Sequence, residues 1–175
     1  MSISPVLADY LGQQRVHYEV LEHPLTTSSI ASAREANIPA DKLAKAVIVR
    51  RGERYSMCVI PASNQLVLEW LKYGRQHSYE IAEERELLGL FPGCEEGAIP
   101  GLGEAFHMDV IIDDSLMDKK DIYIEAGNHT HLIHINHYDF DRLMMNAWPA
   151  PISCIKGGGT SDEQYFWAPL RGGDL

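Results

Sequence analysis

Lys45 is the residue whose type and position most need a chemical reason. It stands in the run Leu43-Ala44-Lys45-Ala46-Val47-Ile48-Val49, where period-two alternation puts it on one strand face with Leu43, Val47 and Val49. Two explanations are open. In one, a lysine near a strand end lays its methylene stem along the apolar face and its ammonium reaches water. In the other, the ammonium points into a pocket and meets an anionic or strongly polar ligand group, as a compact and mobile point charge can.

Histidines, cysteines and a breaker-rich loop are the other groups of interest. His129, His131, His134 and His137 are of the type that binds zinc most often. If Gly127-Asn128 is a turn and residues 131–135 a strand, His131 and His134 point to opposite faces and cannot converge on one ion. No HExxH, GxSxG or GxGxxG pattern is present, and Cys94 lacks the flanking residues of a protease-type nucleophile. The stretch 91–103 holds Pro92, Gly93, Gly97, Pro100, Gly101 and Gly103, too many breakers for a helix or strand. A loop of this length inside a compact domain is usually functional when it also carries apolar residues.

The surrounding pattern predicts the elements that position these groups. Helices are expected over 5–14, 30–36, 66–73, 81–90 and 138–145, from apolar residues recurring at helical spacing and the N-cap hydroxyls of Thr26, Thr27 and Ser28. Strands are expected over 16–21, 43–49, 54–60, 107–112, 121–126 and 131–135, the second and third joined as a hairpin across Arg51-Gly52-Glu53. Glu80, Glu83, Glu84 and Glu86 read as a solvated face. Beyond Pro149 the composition turns linker-like, although Tyr165, Phe166 and Trp167 could dock.

The chain's 175 residues suit one domain with its own core. With 45% hydrophobic and 23% charged residues the composition is that of a globular protein, and no apolar run reaches the roughly 18 residues of a membrane span. The N-terminus lacks a basic segment followed by an apolar core, so a cytoplasmic location is the expectation. Cys58, Cys94 and Cys154, at unrelated spacings, suit reduced thiols. The net charge of -10 argues against broad neutralisation of a nucleic-acid backbone, so any nucleic-acid partner must be held locally.

The ordered set His23-Pro24, Thr27, Lys45-Ala46-Val47-Ile48-Val49, Gly97-Ala98-Ile99-Pro100 and Ile122-Tyr123-Ile124-Glu125-Ala126-Gly127-Asn128-His129 resembles the YbaK/prolyl-tRNA-synthetase-associated domain family. These are aminoacyl-tRNA deacylases that edit mischarged tRNA. The resemblance implies a single α+β domain over 1–150, with a central, largely antiparallel mixed sheet flanked by helices, and a tail over 151–175. It implies that Lys45 sits at the mouth of the aminoacyl pocket and engages the adenosine phosphate or the substrate. The amides of Gly97, Ala98, Ile99 and Pro100's loop would hold the aminoacyl carbonyl, Gly127 and His129 would form the later pocket wall, and His23 and Thr27 would complete the substrate side.

The implied partner is the acceptor end of a mischarged tRNA carrying a small residue such as alanine or cysteine, on tRNAPro or a related tRNA. A synthetase could supply tRNA affinity, and no cofactor, metal or membrane is implied. The reaction suits a sparse catalytic inventory, because an aminoacyl ester is already activated and needs chiefly a positioned water and oxyanion donors. One departure from the family pattern is Glu96, which stands four before Pro100 where a glycine is common, and another is Gly101 where some members have a second proline. Glu96 and the acidic balance favour the alternative of a non-catalytic module of the same fold that binds tRNA, an amino acid or a synthetase.

Overall fold

The computed structural model describes residues 3–75, 78–87 and 89–157. The Tyr165-Phe166-Trp167 patch lies outside them.

The chain opens with α1 (Pro5–Gln13), where proline takes a first-turn position and Leu7 and Leu11 form the buried stripe. Strand β1 (Tyr18–Glu22) leads to α2 (Ser29–Glu35), capped by the Ser28 hydroxyl, which accepts from the Ala31 amide at 3.3 Å. Strands β2 (Leu43–Arg51) and β3 (Arg54–Pro61) form the expected antiparallel hairpin, in register from Ala44↔Pro61 to Arg51↔Arg54. After them come β4 (Asn64–Leu66), α3 (Leu68–Arg75) and the two-residue β5 (Glu80–Ile81). The second half contains β6 (Asp109–Asp113), β7 (Asp121–Glu125), β8 (His131–Asn136), α4 (His137–Leu143), β9 (Trp148–Ala150) and β10 (Ser153–Ile155).

The large sheet runs β1-β8-β7-β2-β3-β6-β9, with β5 added to β2, while β4 and β10 form a separate ribbon. It is mixed: β7 lies parallel to β2, as do β6 to β3 and β9 to β6, and the other pairs are antiparallel. One face carries Ala44, Ile48, Met57, Val59, Ile112, Ile124 and Ile135 against Leu7, Leu11, Phe140 and Leu143 of α1 and α4. The opposite face carries Val49, Cys58 and Ile60 against Leu71 of α3, and Leu43 and Leu132 against Ala33 of α2. The fold is therefore the expected α+β domain, a sheet with apolar packing on both faces.

Several elements differ from the sequence reading. The helix expected over 81–90 is replaced by β5 and a short 3-10 turn, Glu84–Leu87. Its glutamates gave a helical polar face, but Glu80 and Ile81 pair with Arg50 and Val49 of β2 instead, and tertiary pairing overrides so weak a local preference. Leu66, expected to start a helix, ends β4, and α3 begins two residues later. The expected loop ends in a 3-10 turn, Gly103–Phe106, that begins at its last residue. Residues 153–155, which have linker-like composition, pair with β4.

Candidate active site

The site begins where the sheet parts along β2. Strand β7 pairs only with its first residues, Leu43↔Tyr123 and Ala44↔Ile124, and β5 only with its last, Val49↔Ile81 and Arg50↔Glu80. Between them Lys45 forms an isolated antiparallel bridge with Pro100. The end of the glycine-proline loop thus fills the gap that the two strands leave, and it does so beside the strand lysine.

The rest of the loop is tied to the β7–β8 turn. The Glu95 amide donates to the Gly127 carbonyl at 2.8 Å, and the Ala98 amide closes a tight turn onto the Glu95 carbonyl at 3.1 Å. His129 Nε2 lies 2.7 Å from the Glu96 carbonyl oxygen, which can only accept, so this nitrogen carries the proton. The His129 amide also faces the Glu95 carboxylate at 3.4 Å. Two glycines make this geometry possible. Gly97 has φ +79°, with the His129 ring 3.4 Å from where a Cβ would stand, and Gly127 has φ +95°, with Ser4 only 2.7 Å from such a Cβ. Gly127 therefore lets Ser4, Cys94 and the Gly93 carbonyl close up against it.

The β1–α2 connection completes the cluster. The Thr26 amide donates to the His129 carbonyl at 3.2 Å, and the His23 amide to the Thr130 carbonyl at 2.9 Å. His23 is buried, its Nδ1 donates to the Pro24 carbonyl at 2.8 Å, and its buried Nε2 has no hydrogen-bond partner among the described residues. Thr27 is exposed, and the threonine turned inward is Thr26.

Lys45 is half-buried and donates from Nζ to the Asn64 carbonyl at 3.1 Å. Burial, followed by the charge of Lys156, lowers its pKa from 10.5 to about 8. The structure thus brings Gly97, Gly127 and His129 together, sets Pro100 beside Lys45, and aims the ammonium toward the β3–β4 turn. Burial pushes the Cys94 thiol up, away from the reactive thiolate. The remaining histidines serve different partners: His134 stacks on Tyr123 at 4.9 Å and meets Asp121 at 2.9 Å, and His137 pairs with Asp141 at 3.2 Å.

Residues 23–143 match the aminoacyl-tRNA editing domain family. The chain belongs to this family. No curated protein matches it. Among solved structures, a scaffold protein from epitope backbone grafting by computational design superposes with TM-score 0.75 at 15% identity, over 86% of this chain and 97% of that one. The hypothetical protein APE2540 gives TM-score 0.73 at 18% identity, over 85% and 99%. A candidate trans-editing enzyme for prolyl tRNA synthetase gives TM-score 0.72 at 18% identity, over 87% and 99%. At such identities these likenesses show the fold.

The editing domain holds one group that the sequence reading did not single out. Glu125, at the end of β7, is buried and its Oε2 has no hydrogen-bond partner among the described residues. Burial raises its pKa from 4.5 to about 7, while the hydroxyls of Ser29 and Ser32 on α2 oppose the shift. Thr26 Oγ1 in turn lies 2.7 Å from Ser32 Oγ. Glu125 and Lys45 each stand two residues beyond the Leu43↔Tyr123 pair, so both project from the same sheet face. Alternation in β7 was the available signal: Ile122 and Ile124 are core residues, which leaves Glu125 on the opposite face beneath α2.

Proposed function

We propose that this editing domain hydrolyses the ester of mischarged aminoacyl-tRNA, removing a small residue such as alanine or cysteine from tRNAPro or a related tRNA. Lys45 would hold an anionic group of the terminal adenosine. The Ala98 amide is used within the loop, so the developing oxyanion falls to the amides of Gly97 and Ile99, and water attacks the carbonyl. His129 holds the loop in the shape that presents those amides. His23 and Thr26 support the turn behind it.

The observation that carries this reading is the bridge between Lys45 and Pro100, which joins a half-buried cation to a loop whose left-handed glycine is seated on His129. Two groups with pKa values near neutrality, Lys45 and Glu125, share that sheet face, and such perturbed groups cluster at functional sites. Hydrolysis of a panel of mischarged tRNAs in metal-free buffer by wild type and Lys45→Ala tests it. Lysine-dependent turnover of at least one member is the expected result.

A non-catalytic role in binding tRNA, an amino acid or a synthetase is the second reading. The Glu95 carboxylate facing the His129 amide favours it, since negative charge near an ester carbonyl opposes an oxyanion. Tight acceptor-end binding without turnover across the panel is its signature.

A further inference from the structure

The geometry points to Lys156 as the second cation of a phosphodiester-binding site formed with Lys45, taking the backbone of an RNA acceptor end. This rests on the acceptor-end reading of Lys45 above. Lys156 lies beyond the family match, which ends at residue 143, and follows the last strand of the ribbon.

Both lysines converge on one turn. Strand β10 pairs with β4 in the register Ile155↔Asn64 and Ser153↔Leu66, and the Lys156 amide donates to the Ser63 carbonyl at 3.1 Å. The adjacent carbonyl, that of Asn64, receives the Lys45 ammonium at 3.1 Å. Asn64 is itself fixed, because its Nδ2 donates to Ser153 Oγ at 2.9 Å and its Oδ1 accepts from Ser63 Oγ at 3.0 Å. The two lysines are thus held to neighbouring carbonyls of one turn, and the charge of Lys156 acts on that of Lys45.

Two like charges held together call for an anion between them. Among the described residues neither lysine is in an ion pair. Asp113 is the carboxylate joined to this turn through Ser153, and both its oxygens are engaged: Oδ1 by Ser115, Oδ2 by the Ile152 amide at 3.2 Å and Ser153 Oγ at 2.6 Å. A phosphate offers several acceptor oxygens to two ammonium groups and supplies the missing charge. A local pair of cations also suits a chain of net charge -10, which has no broad positive surface for RNA.

The test measures binding of an uncharged acceptor-stem RNA ending in CCA across a salt series, with wild type, Lys156→Gln and Lys156→Arg, alongside titration with inorganic phosphate and deacylation kinetics. Lys156→Gln should weaken RNA binding roughly fivefold to tenfold and lower the salt slope by about one, with Lys156→Arg near wild type. Any deacylation should show a raised KM and unchanged kcat. Wild-type affinity and slope in Lys156→Gln would overturn the site while leaving a Lys45-dependent deacylase intact. Weakened inorganic phosphate binding with unchanged RNA binding would also overturn it, since the ligand would then be free phosphate. Lys156-dependent RNA binding without turnover of any mischarged tRNA would uphold the site and remove the hydrolase reading.

Discussion

His129 donates from Nε2 to the carbonyl oxygen of Glu96 at 2.7 Å, fastening the β7–β8 turn to the glycine-proline loop. The bond lies at an exposed position, so its net worth to stability is about 1 kcal/mol or less. Its worth to the proposed reaction is larger, because a shift of about 1 Å in the loop amides can lower a rate roughly 100-fold. His129→Ala should therefore lower kcat by about tenfold to 100-fold with a nearly unchanged unfolding midpoint. Loss of both in proportion would mean that the histidine only stabilises the fold.

Gly97 gives a sharper separation of the two effects. At φ +79° an alanine is strained by roughly 1–2 kcal/mol, although its methyl would meet the His129 ring at an ordinary 3.4 Å. Relieving that strain would turn the loop amides away from the site, against the Glu95–Gly127 and Glu96–His129 bonds that hold them. Gly97→Ala should remove most deacylation while the chain stays folded, as measured by circular dichroism and urea titration beside the kinetics.

Glu125 should make stability depend on pH in the direction opposite to that of a salt-bridged carboxylate. Its folded-state pKa of about 7 exceeds the ordinary 4.5, so the folded protein binds the proton more tightly than the unfolded chain does. Its contribution is fully present below about 4.5 and is lost as pH rises through about 7. Glu125→Gln, which keeps an amide near Ser29 and Ser32, should be more stable than wild type at pH 8 by up to about 3 kcal/mol and nearly equal to it at pH 4.5. Equal urea midpoints at both pH values would contradict the raised pKa.

Lys45 should set the alkaline limit of the activity. Its depressed pKa of about 8 means that the ammonium, and with it the hold on an anionic substrate group, fades as pH rises through that value. An exposed lysine would keep its charge about two units higher. Lys45→Arg stays protonated across this range, so any activity it retains should show no fall near pH 8 once the uncatalysed hydrolysis of the ester is subtracted. A wild-type profile flat to pH 10 would contradict the assignment.

The proposed site residues stand out in the sequence where they break local rules. Lys45 interrupts an apolar strand face, and the loop at 91–103 concentrates breakers where a compact domain has little room for them. The rest depended on contacts distant in sequence. Nothing local distinguishes Thr26 from Thr27 as the threonine turned inward, since the choice follows from the Thr26 amide bonding to the His129 carbonyl. Glu125 stands inside a quoted motif, yet its burial comes from α2 lying over it. Strand β10 lies beyond Pro149, where the composition reads as linker, and its pairing with β4 brings Lys156 to the turn that receives the Lys45 ammonium. The false helix over 81–90 has the same origin, a polar periodicity overruled by pairing with β2.

Lysine-dependent deacylation by this editing domain is the proposal to test first. Its most direct test is the rate at which wild type and Lys45→Ala hydrolyse Ala-tRNAPro, Cys-tRNAPro and related mischarged tRNAs in metal-free buffer. Wild type should deacylate at least one of them, and Lys45→Ala, folded as judged by its unfolding midpoint, should lose that activity by roughly 100-fold or more. Equal turnover by the two proteins, or no turnover by wild type at high enzyme concentration, would contradict it.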